Sequence, residues 1–386
     1  MLICLDQGTG KILWKREVQA TRPHHRHPLN DAASPTPVSD GTRVYVFYPE
    51  YGLIAYDLEG HEVWKSPLGP FVSLHGIAAS PVLAEGQVIT LVDQARDSFI
   101  ASFSSKDGRQ LWKSPRPDAA GGYSTPVVYL APNGRSQIIV SSPRELAGYS
   151  AMTGEKMWWF GPMGEQPQTS PIVFGDFAYA VGFGGAETWE QDTTFRELDR
   201  NHDDVVDQQE FPDSWGGISG SVLDGNGDGI LTLTEWKAFG SRIHGGGPSA
   251  LVAIRLNGSG QIGRREALWR FTKSLPGISS PLFYQGILYL ARGGGVITAL
   301  NPEDGQILKQ DRLTGVLDDI FASPVASSGN IYIATAGGKV AVLKAGKDWQ
   351  VLAVNDLGED CMASPALTDN RIYVRTTHSL FAFGLK

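Results

Sequence analysis

Two acidic stretches of twelve residues carry the side chains best suited to binding a cation, one at residues 199–210 and one at residues 224–235. Each places oxygen atoms at its positions 1, 3, 5, 9 and 12, and the backbone carbonyl at position 7 adds a sixth ligand. Oxygen ligands without histidine or cysteine favour a hard cation such as Ca²⁺. The predicted ligands are Asp199, Asn201, Asp203, Val205, Asp207 and Glu210 in the first stretch, and Asp224, Asn226, Asp228, Ile230, Thr232 and Glu235 in the second.

The spacing of both stretches resembles the calcium-binding loop of the EF-hand motif. Gly229 stands at position 6 of the second loop, where the chain must bend sharply. The first loop has Asp204 at that position, and an aspartate adopts the left-handed conformation at some cost. We therefore predict two calcium sites, with weaker binding in the first loop. His202 is predicted to point away from the ion.

Short helices are expected beside the loops, with a role for calcium that is structural or docking rather than sensing. The loops start only 25 residues apart, and Pro212 and Gly216-Gly217 shorten the helices between them. Helices this short are not expected to open and expose a groove as in calmodulin. Val206 and Leu231, at position 8 of each loop, are expected to pair. The apolar residues expected to bury against one another are Phe195, Leu198, Phe211, Val222, Leu223, Trp236 and Phe239.

The rest of the chain repeats a unit of about 43 residues that predicts a blade of four short strands. Steps of 44, 45, 45, 110, 43 and 41 residues separate the repeats, and the long step places the acidic segment between the second and third strands of the fourth unit. The fold class is therefore an all-β propeller with a small helical insertion. A Ser/Thr-Pro pair opens each unit, at Pro37, Pro81, Pro126, Pro171, Pro281, Pro324 and Pro365.

The predicted propeller comprises residues 1–185 and 251–386, and the predicted insert comprises residues 186–250. The insert has 13 acidic and 4 basic residues and therefore a net charge of −9. The net charge of the whole chain is −8, so the propeller has a net charge of +1. This balance argues against binding to nucleic acid or to anionic membranes. There is also no run of 18 apolar residues that would span a membrane.

Tryptophans recur in the last strand of five units, at Trp14, Trp64, Trp112, Trp158 and Trp269. Their setting, as in Asp6-Gln7-Gly8-Thr9-Gly10-Lys11-Ile12-Leu13-Trp14, resembles the tryptophan-docking repeat of the PQQ-like propeller family. That family includes the barrel-assembly lipoprotein of Gram-negative outer membranes and the quinoprotein dehydrogenases. The resemblance implies that each indole packs between adjacent blades. In the last two units Lys309 or Gln310, and Leu352, lie near the position of the missing tryptophan.

The number of blades stays open at the sequence level. The chain begins with a third strand at residues 2–5 and a fourth at residues 12–18, and it ends in a third strand at residues 380–383. Either residues 12–18 complete the last blade and seven blades close, or the parent has eight blades and Met1 starts inside the first.

In an up-and-down blade, the second-to-third and fourth-to-first loops emerge on the same side. The insert is therefore expected beside the loops at residues 19–33, 67–79 and 314–322. His24, His25 and His27 in the first of these loops are interpreted as exposed side chains, with a soft-metal cluster as the less favoured alternative.

Two functions follow from the resemblance. The favoured one is a non-catalytic scaffold, periplasmic, secreted or on the cell surface, which as a monomer binds another protein on its loop face. The alternative is a PQQ-dependent oxidoreductase. The dehydrogenases are longer and have adjacent cysteines over the quinone, whereas Cys4 and Cys361 lie at opposite ends of this chain, so PQQ is not expected. No catalytic residue is predicted, although Asp318, Asp319 and Asp360 are acids in loops of the same face.

Overall fold

In the described residues, the protein is all-β apart from two short α-helices beside the acidic loops and a 3₁₀ helix at Arg264–Glu266. In this computed structural model the helices are α1 (Gln191–Leu198) and α2 (Leu233–Ile243). Within the described residues, no helix is long and apolar enough to cross a membrane. The structure describes residues 1–19, 27, 30, 33–165, 167–184, 191–207, 209–211, 222–243, 246–368 and 370–384.

The strands are short, mostly three to six residues, as expected for sequences interrupted by frequent Gly turns. Up to the fourth repeat they are β1 (Leu2–Leu5), β2 (Ile12–Arg16), β3 (Val38–Ser39), β4 (Arg43–Tyr48), β5 (Gly52–Asp57), β6 (Glu62–Pro67), β7 (Val82–Ala84), β8 (Gln87–Val92), β9 (Phe99–Ser104), β10 (Gln110–Pro115), β11 (Val127–Leu130), β12 (Ser136–Ser141), β13 (Leu146–Ser150) and β14 (Lys156–Phe160). They continue with β15 (Ile172–Phe174), β16 (Phe177–Gly182), β17 (Val205–Val206), β18 (Leu231–Thr232), β19 (Ala250–Arg255), β20 (Gly260–Ile262), β21 (Trp269–Phe271), β22 (Leu282–Tyr284), β23 (Ile287–Arg292), β24 (Val296–Leu300), β25 (Ile307–Arg312), β26 (Val325–Ser327), β27 (Asn330–Ala334), β28 (Lys339–Lys344), β29 (Gln350–Asp356), β30 (Ala366–Thr368), β31 (Arg371–Arg375) and β32 (Leu380–Gly384).

The chain divides into two compact units. The first comprises Met1–Gln166 and Gly184–Gly247, and contains the hairpin β1-β2, the antiparallel sheets β3-β4-β5-β6 and β7-β8-β9-β10, the first four strands (β11-β12-β13-β14) of a five-stranded sheet, and the small pair β17-β18. The second comprises Pro167–Phe183 and Pro248–Lys386, and contains the sheets β15-β16-β19-β21, β22-β23-β24-β25, β26-β27-β28-β29 and β30-β31-β32.

Seven repeating antiparallel sheets confirm the predicted propeller of seven blades. In the fourth, β16 pairs with β19 from Phe177↔Arg255 to Gly182↔Ala250, so residues 183–249 leave the sheet between its second and third strands. The seventh sheet has three strands in the described part of the chain, and β2 pairs with β1.

The Ser/Thr-Pro pairs have a structural role that was missing from the sequence analysis. In five of the seven pairs, the Ser or Thr hydroxyl accepts a hydrogen bond from the backbone N–H of the matching residue one sheet earlier. The proline leaves the preceding N–H free for this bond because it fixes an extended approach to the first strand. The donor and acceptor residues are Thr36–Ser80 (2.9 Å), Ser80–Thr125 (3.0 Å), Ser170–Ser280 (2.9 Å), Ser280–Ser323 (3.0 Å) and Ser323–Ser364 (2.8 Å).

Four of the five repeat tryptophans pack between sheets as the repeat resemblance implied, whereas Trp158 donates its Nε1–H to Gln137 Oε1 of its own sheet at 2.9 Å. Four indoles donate their Nε1–H to a backbone carbonyl of the next sheet, and the face of each ring lies against the turn glycine of that sheet. A Cβ on any of these glycines would overlap the indole. The donor and acceptor residues are Trp14–Leu58 (3.0 Å), Trp64–Ser105 (2.9 Å), Trp112–Ala151 (3.0 Å) and Trp269–Pro302 (2.9 Å).

Two sheets replace the docking tryptophan with another residue. In β25 the position is taken by Lys309, whose Nζ donates to the backbone carbonyl of Trp349 at 2.8 Å, as the indoles do. In β29 the register places Ala353 opposite Val342, so Ala353 rather than Leu352 occupies the position. Leu352 is the adjacent residue, near the docking position as predicted, and a bulge in the last strand shifts the register after Val342.

Candidate metal centre

The first residue of each acidic loop is fixed by backbone donors across the loop. Asp199 Oδ2 accepts from the N–H of Asp204 at 3.0 Å, and Asp224 Oδ2 accepts from the N–H of Gly229 at 2.8 Å. Asp204 and Gly229 have φ of 69° and 86°, the left-handed bend that position 6 requires. The two loops therefore have the same backbone path around their first carboxylate.

The last residue of each loop closes the ring in the same way. Glu210 Oε1 accepts from the backbone N–H groups of positions 2 and 3 at 2.8 and 3.1 Å, and Glu235 Oε1 does so at 3.1 and 3.2 Å. The other oxygen accepts from the N–H of Asp207 at 3.1 Å or of Thr232 at 3.0 Å. Each glutamate thus returns to the start of its own loop, which aligns both carboxylate oxygens with the loop interior.

The donor set fits a divalent cation. One carboxylate oxygen each from Asp199, Asp203 and Glu210 lie within 4.8 Å of one another. Asp199 and Glu210 are only 4% and 6% exposed, and Asp224 is 5% exposed. Within the described residues, no lysine or arginine forms an ion pair with any of these three buried acids. Buried like charges are costly unless a cation or a proton neutralises them, so a bound cation would relieve this repulsion.

A two-stranded pairing joins the loops. β17 and β18 are antiparallel, with Val205 opposite Thr232 and Val206 opposite Leu231. Val206 is 0% and Leu231 1% exposed, which confirms the predicted pairing at position 8. The two loops therefore form one module, since each supplies one strand of the shared sheet.

The apolar side of this module packs on loops of the first unit. Phe195 of α1 and Trp236 of α2 are buried, with ring centroids 6.4 Å apart. The predicted burial of the flanking apolar residues is confirmed, and it extends to the propeller loops, including the loop at residues 67–79. The residues of the shared cluster are Val72, Leu74, Ala95, Ala120, Phe195, Leu198, Val206, Phe211, Val222, Leu223, Leu231, Leu233, Trp236 and Phe239.

Two arginines of the propeller hold the module by its backbone. Arg96, in the loop between β8 and β9, donates from Nη1 to the carbonyl of Asp224 at 2.8 Å. Arg144 donates from Nη1 to the carbonyl of Ser241 in α2 at 2.9 Å. Neither contact could be predicted from the sequence, because neither arginine belongs to a local motif.

A buried ion pair stiffens the surface on which the module rests. Arg116 donates from Nε and Nη2 to the two carboxylate oxygens of Asp93 at 2.7 and 2.9 Å, and both side chains are almost fully buried. The backbone N–H of Arg116 also bonds to the carbonyl of Ser98 at 2.7 Å. These bonds fix the β10–β11 loop just before Ala120, which contacts the module.

The remaining predicted residues lie partly outside the described part of the chain. His24, His25, Pro212, Gly216 and Gly217 are not among the described residues, and His202 is exposed. The His27 ring lies 5.4 Å from that of His75 in an edge contact.

The hydrogen bonds and burial of Asp318 and of the two cysteines describe their surroundings. Asp318 Oδ2 accepts from Thr335 Oγ1 at 3.0 Å and lies 3.9 Å from Lys339 Nζ. Cys4 and Cys361 are both free thiols, and burial raises the pKa of Cys361 above its ordinary value. A thiol with a raised pKa is mostly protonated and therefore a poor nucleophile.

Comparison with known proteins identifies the repeats. Residues 1–185 and 254–385 match the family described as outer membrane protein assembly factor BamB. No curated protein matches the chain. BamB from Moraxella catarrhalis is similar in structure, with a TM-score of 0.59 and 13% identity over 89% of this chain and 82% of that one. The computationally designed Ika8 protein has a TM-score of 0.58 and 11% identity over 99% of this chain and 90% of the design. At such identities these two structures show a shared fold alone.

Proposed function

The chain belongs to the family described as outer membrane protein assembly factor BamB, and we propose that it is a non-catalytic, extracytoplasmic interaction propeller stiffened by calcium. The family description supports a role in assembly at the cell envelope and a protein as the partner. The proposed binding surface is the loop face beside the acidic module, and the proposed working form is a monomer. The observation that carries the proposal is the packing of the acidic module on the propeller loops.

Calcium is the cation that the two loops favour. Each offers six oxygen ligands, with a position-12 glutamate already turned into the loop by backbone donors. Two Ca²⁺ ions would offset four of the nine net negative charges in residues 186–250. Extracellular modules of this kind bind calcium at about 10⁻⁴–10⁻³ M, which suits an extracytoplasmic location.

The role of the ion is structural. In a calcium sensor, binding opens a helix pair and exposes an apolar groove for a target. Here the apolar side chains of Phe195, Trp236 and Phe239 already pack in one cluster with Val72 and Leu74 of the propeller. Calcium is therefore expected to stabilise a docked module and to leave its apolar face covered.

Titration calorimetry of the whole chain tests this function. Wild-type protein is expected to bind two Ca²⁺ ions, and the variant Asp224→Ala, Glu235→Ala is expected to bind one, because it loses the first and last ligands of the second loop. The control variant Glu59→Ala, Glu303→Ala removes two exposed acids elsewhere and should keep both sites.

Absence of calcium-dependent heat would contradict the calcium claim. A second titration, with the quinone PQQ in the presence of calcium, separates the scaffold from the alternative. No heat and no dye-linked alcohol oxidation are expected; quinone binding with turnover would establish a quinoprotein oxidoreductase instead.

A further inference from the structure

The loop between β8 and β9, at residues 93–98, is bound to the loops before and after it. The backbone N–H of Ala95 donates to the carbonyl of Val72, in the β6–β7 loop, at 2.8 Å. Ser98 Oγ donates to the carbonyl of Ala119, in the β10–β11 loop, at 2.8 Å. Both Ala95 and Ser98 are 3% exposed. Residues 93–98 are therefore a fixed part of the surface on which the acidic module packs.

Arg96, in the middle of this loop, lies against the second acidic loop at two positions. Its Nη1 donates to the backbone carbonyl of Asp224, at position 1, at 2.8 Å. A Cβ added to Gly227, at position 4, would lie 3.4 Å from the same nitrogen. The guanidinium therefore contacts the turn that holds the first predicted calcium ligand, and it links that turn to the propeller.

The bond to the carbonyl leaves the carboxylate of Asp224 for the ion. Arginine commonly binds a carboxylate through two nitrogens, and such a pair would compete with a cation for the same oxygens. Instead, Asp224 Oδ1 accepts from the N–H of Gly227 at 2.6 Å, and Oδ2 accepts from the N–H of Gly229 at 2.8 Å. Arg96 thus fixes the main chain of the first ligand, while the acidic loop itself orients the side chain.

We propose that Arg96 is a positioning residue for the second calcium site and couples that site to residues 93–98. Because Arg96 holds the main chain of Asp224 before the ion binds, less ordering of the loop accompanies binding. Coupling of this kind is reciprocal, so calcium in the second loop also stabilises residues 93–98. The positive charge of Arg96 opposes the ion, but the side chain is partly exposed, so solvent and salt screen that repulsion. The proposal rests on the proposed binding of calcium.

Calorimetry tests the coupling in the full chain with Asp199→Ala and Glu210→Ala, so that only the second loop binds calcium. Adding Arg96→Ala is expected to weaken that binding about fivefold, the effect of one lost hydrogen bond. Arg96→Lys keeps a charged donor and should bind calcium more tightly than Arg96→Ala. Hydrogen exchange gives a second measurement: calcium should slow exchange in residues 93–98, and Arg96→Ala should abolish that slowing.

Arg144→Ala is the matched control. It removes the other arginine bond to the module, at the carbonyl of Ser241, which lies outside the second loop, and its calcium affinity in the same background is expected to be unchanged. Equal or tighter binding by Arg96→Ala would overturn the proposal. So would an equal loss in Arg144→Ala, which would indicate general loosening of the module. If the wild-type chain binds no calcium, the proposed function fails as well; if it binds two ions but Arg96→Ala has no effect, this proposal alone fails.

Discussion

Position 6 of the two acidic loops offers a comparison of two residue types in one backbone conformation. Asp204 and Gly229 both have positive φ, and the backbone N–H of each bonds to the first carboxylate of its loop. The left-handed conformation costs a residue with a Cβ roughly 1–2 kcal/mol, although it costs an aspartate less than most residues. The first loop therefore adopts the required bend with some strain.

Exchange of these two residues is expected to exchange the calcium affinities. Asp204→Gly should tighten binding in the first loop about fivefold, by removing about 1 kcal/mol of backbone strain. Gly229→Asp should weaken the second loop by a similar factor, since a Cβ there would meet nothing within 4 Å and only the backbone is strained. Calorimetry can measure each loop with the other inactivated by alanine at its positions 1 and 12. Unchanged affinities would show that position 6 does not control binding.

The ligands could be predicted from sequence because all six belong to one short loop with a fixed spacing. Arg96, which supports the second loop, could not be predicted. It lies 128 residues from Asp224 in the chain, and its role depends on which propeller loop the module meets. A single arginine beside a turn carries no pattern that indicates such a contact.

At the scale of strands and turns, a turn glycine that faces a docking tryptophan meets two requirements. It must adopt a positive φ, and it must leave room for the indole. Gly108 has φ of 72°, and its Cα lies against the Trp64 indole. Gly10 stands at the matching turn of the hairpin β1-β2 with φ of 71°, but a Cβ there would meet nothing within 4 Å. A comparison of the two glycines therefore separates the effect of the left-handed backbone conformation from the effect of packing against the indole.

Alanine at these two positions is expected to have unequal effects on stability. Gly10→Ala should cost about 1 kcal/mol, from the left-handed conformation alone. Gly108→Ala should cost a further 1–3 kcal/mol, roughly, because its methyl group displaces the indole from the turn. Urea denaturation monitored by tryptophan fluorescence measures both free energies of unfolding. Equal losses would mean that indole packing against the turn adds nothing to stability.

Strand order could be predicted from the repeat, whereas exact register could not. The period of about 43 residues and the turn glycines located every blade. The last strands, however, have a bulge beside the docking position, and a bulge adds one residue without a mark in the sequence. This is why the sequence indicated only that Leu352 lies near the position that Ala353 occupies. The Ser/Thr hydrogen bonds were missed for another reason, since each joins residues 41 or more positions apart.

At the scale of the whole molecule, the net negative charge belongs to the inserted segment, which is also the part that departs from the repeat. The repeats are nearly neutral, and the inserted segment carries −9. The segment belongs to the first unit and packs there on loops of its propeller sheets.

Hydrogen exchange with and without calcium tests the central claim, that the ion stiffens a module already docked on the propeller. Calcium is expected to slow exchange in residues 222–243 and also in the propeller loop at residues 67–79, because Val72 and Leu74 share a buried cluster with Trp236 and Phe239. The Asp224→Ala, Glu235→Ala variant should lose most of this protection. Exchange in residues 67–79 that calcium leaves unchanged, or accelerates, would contradict the structural role.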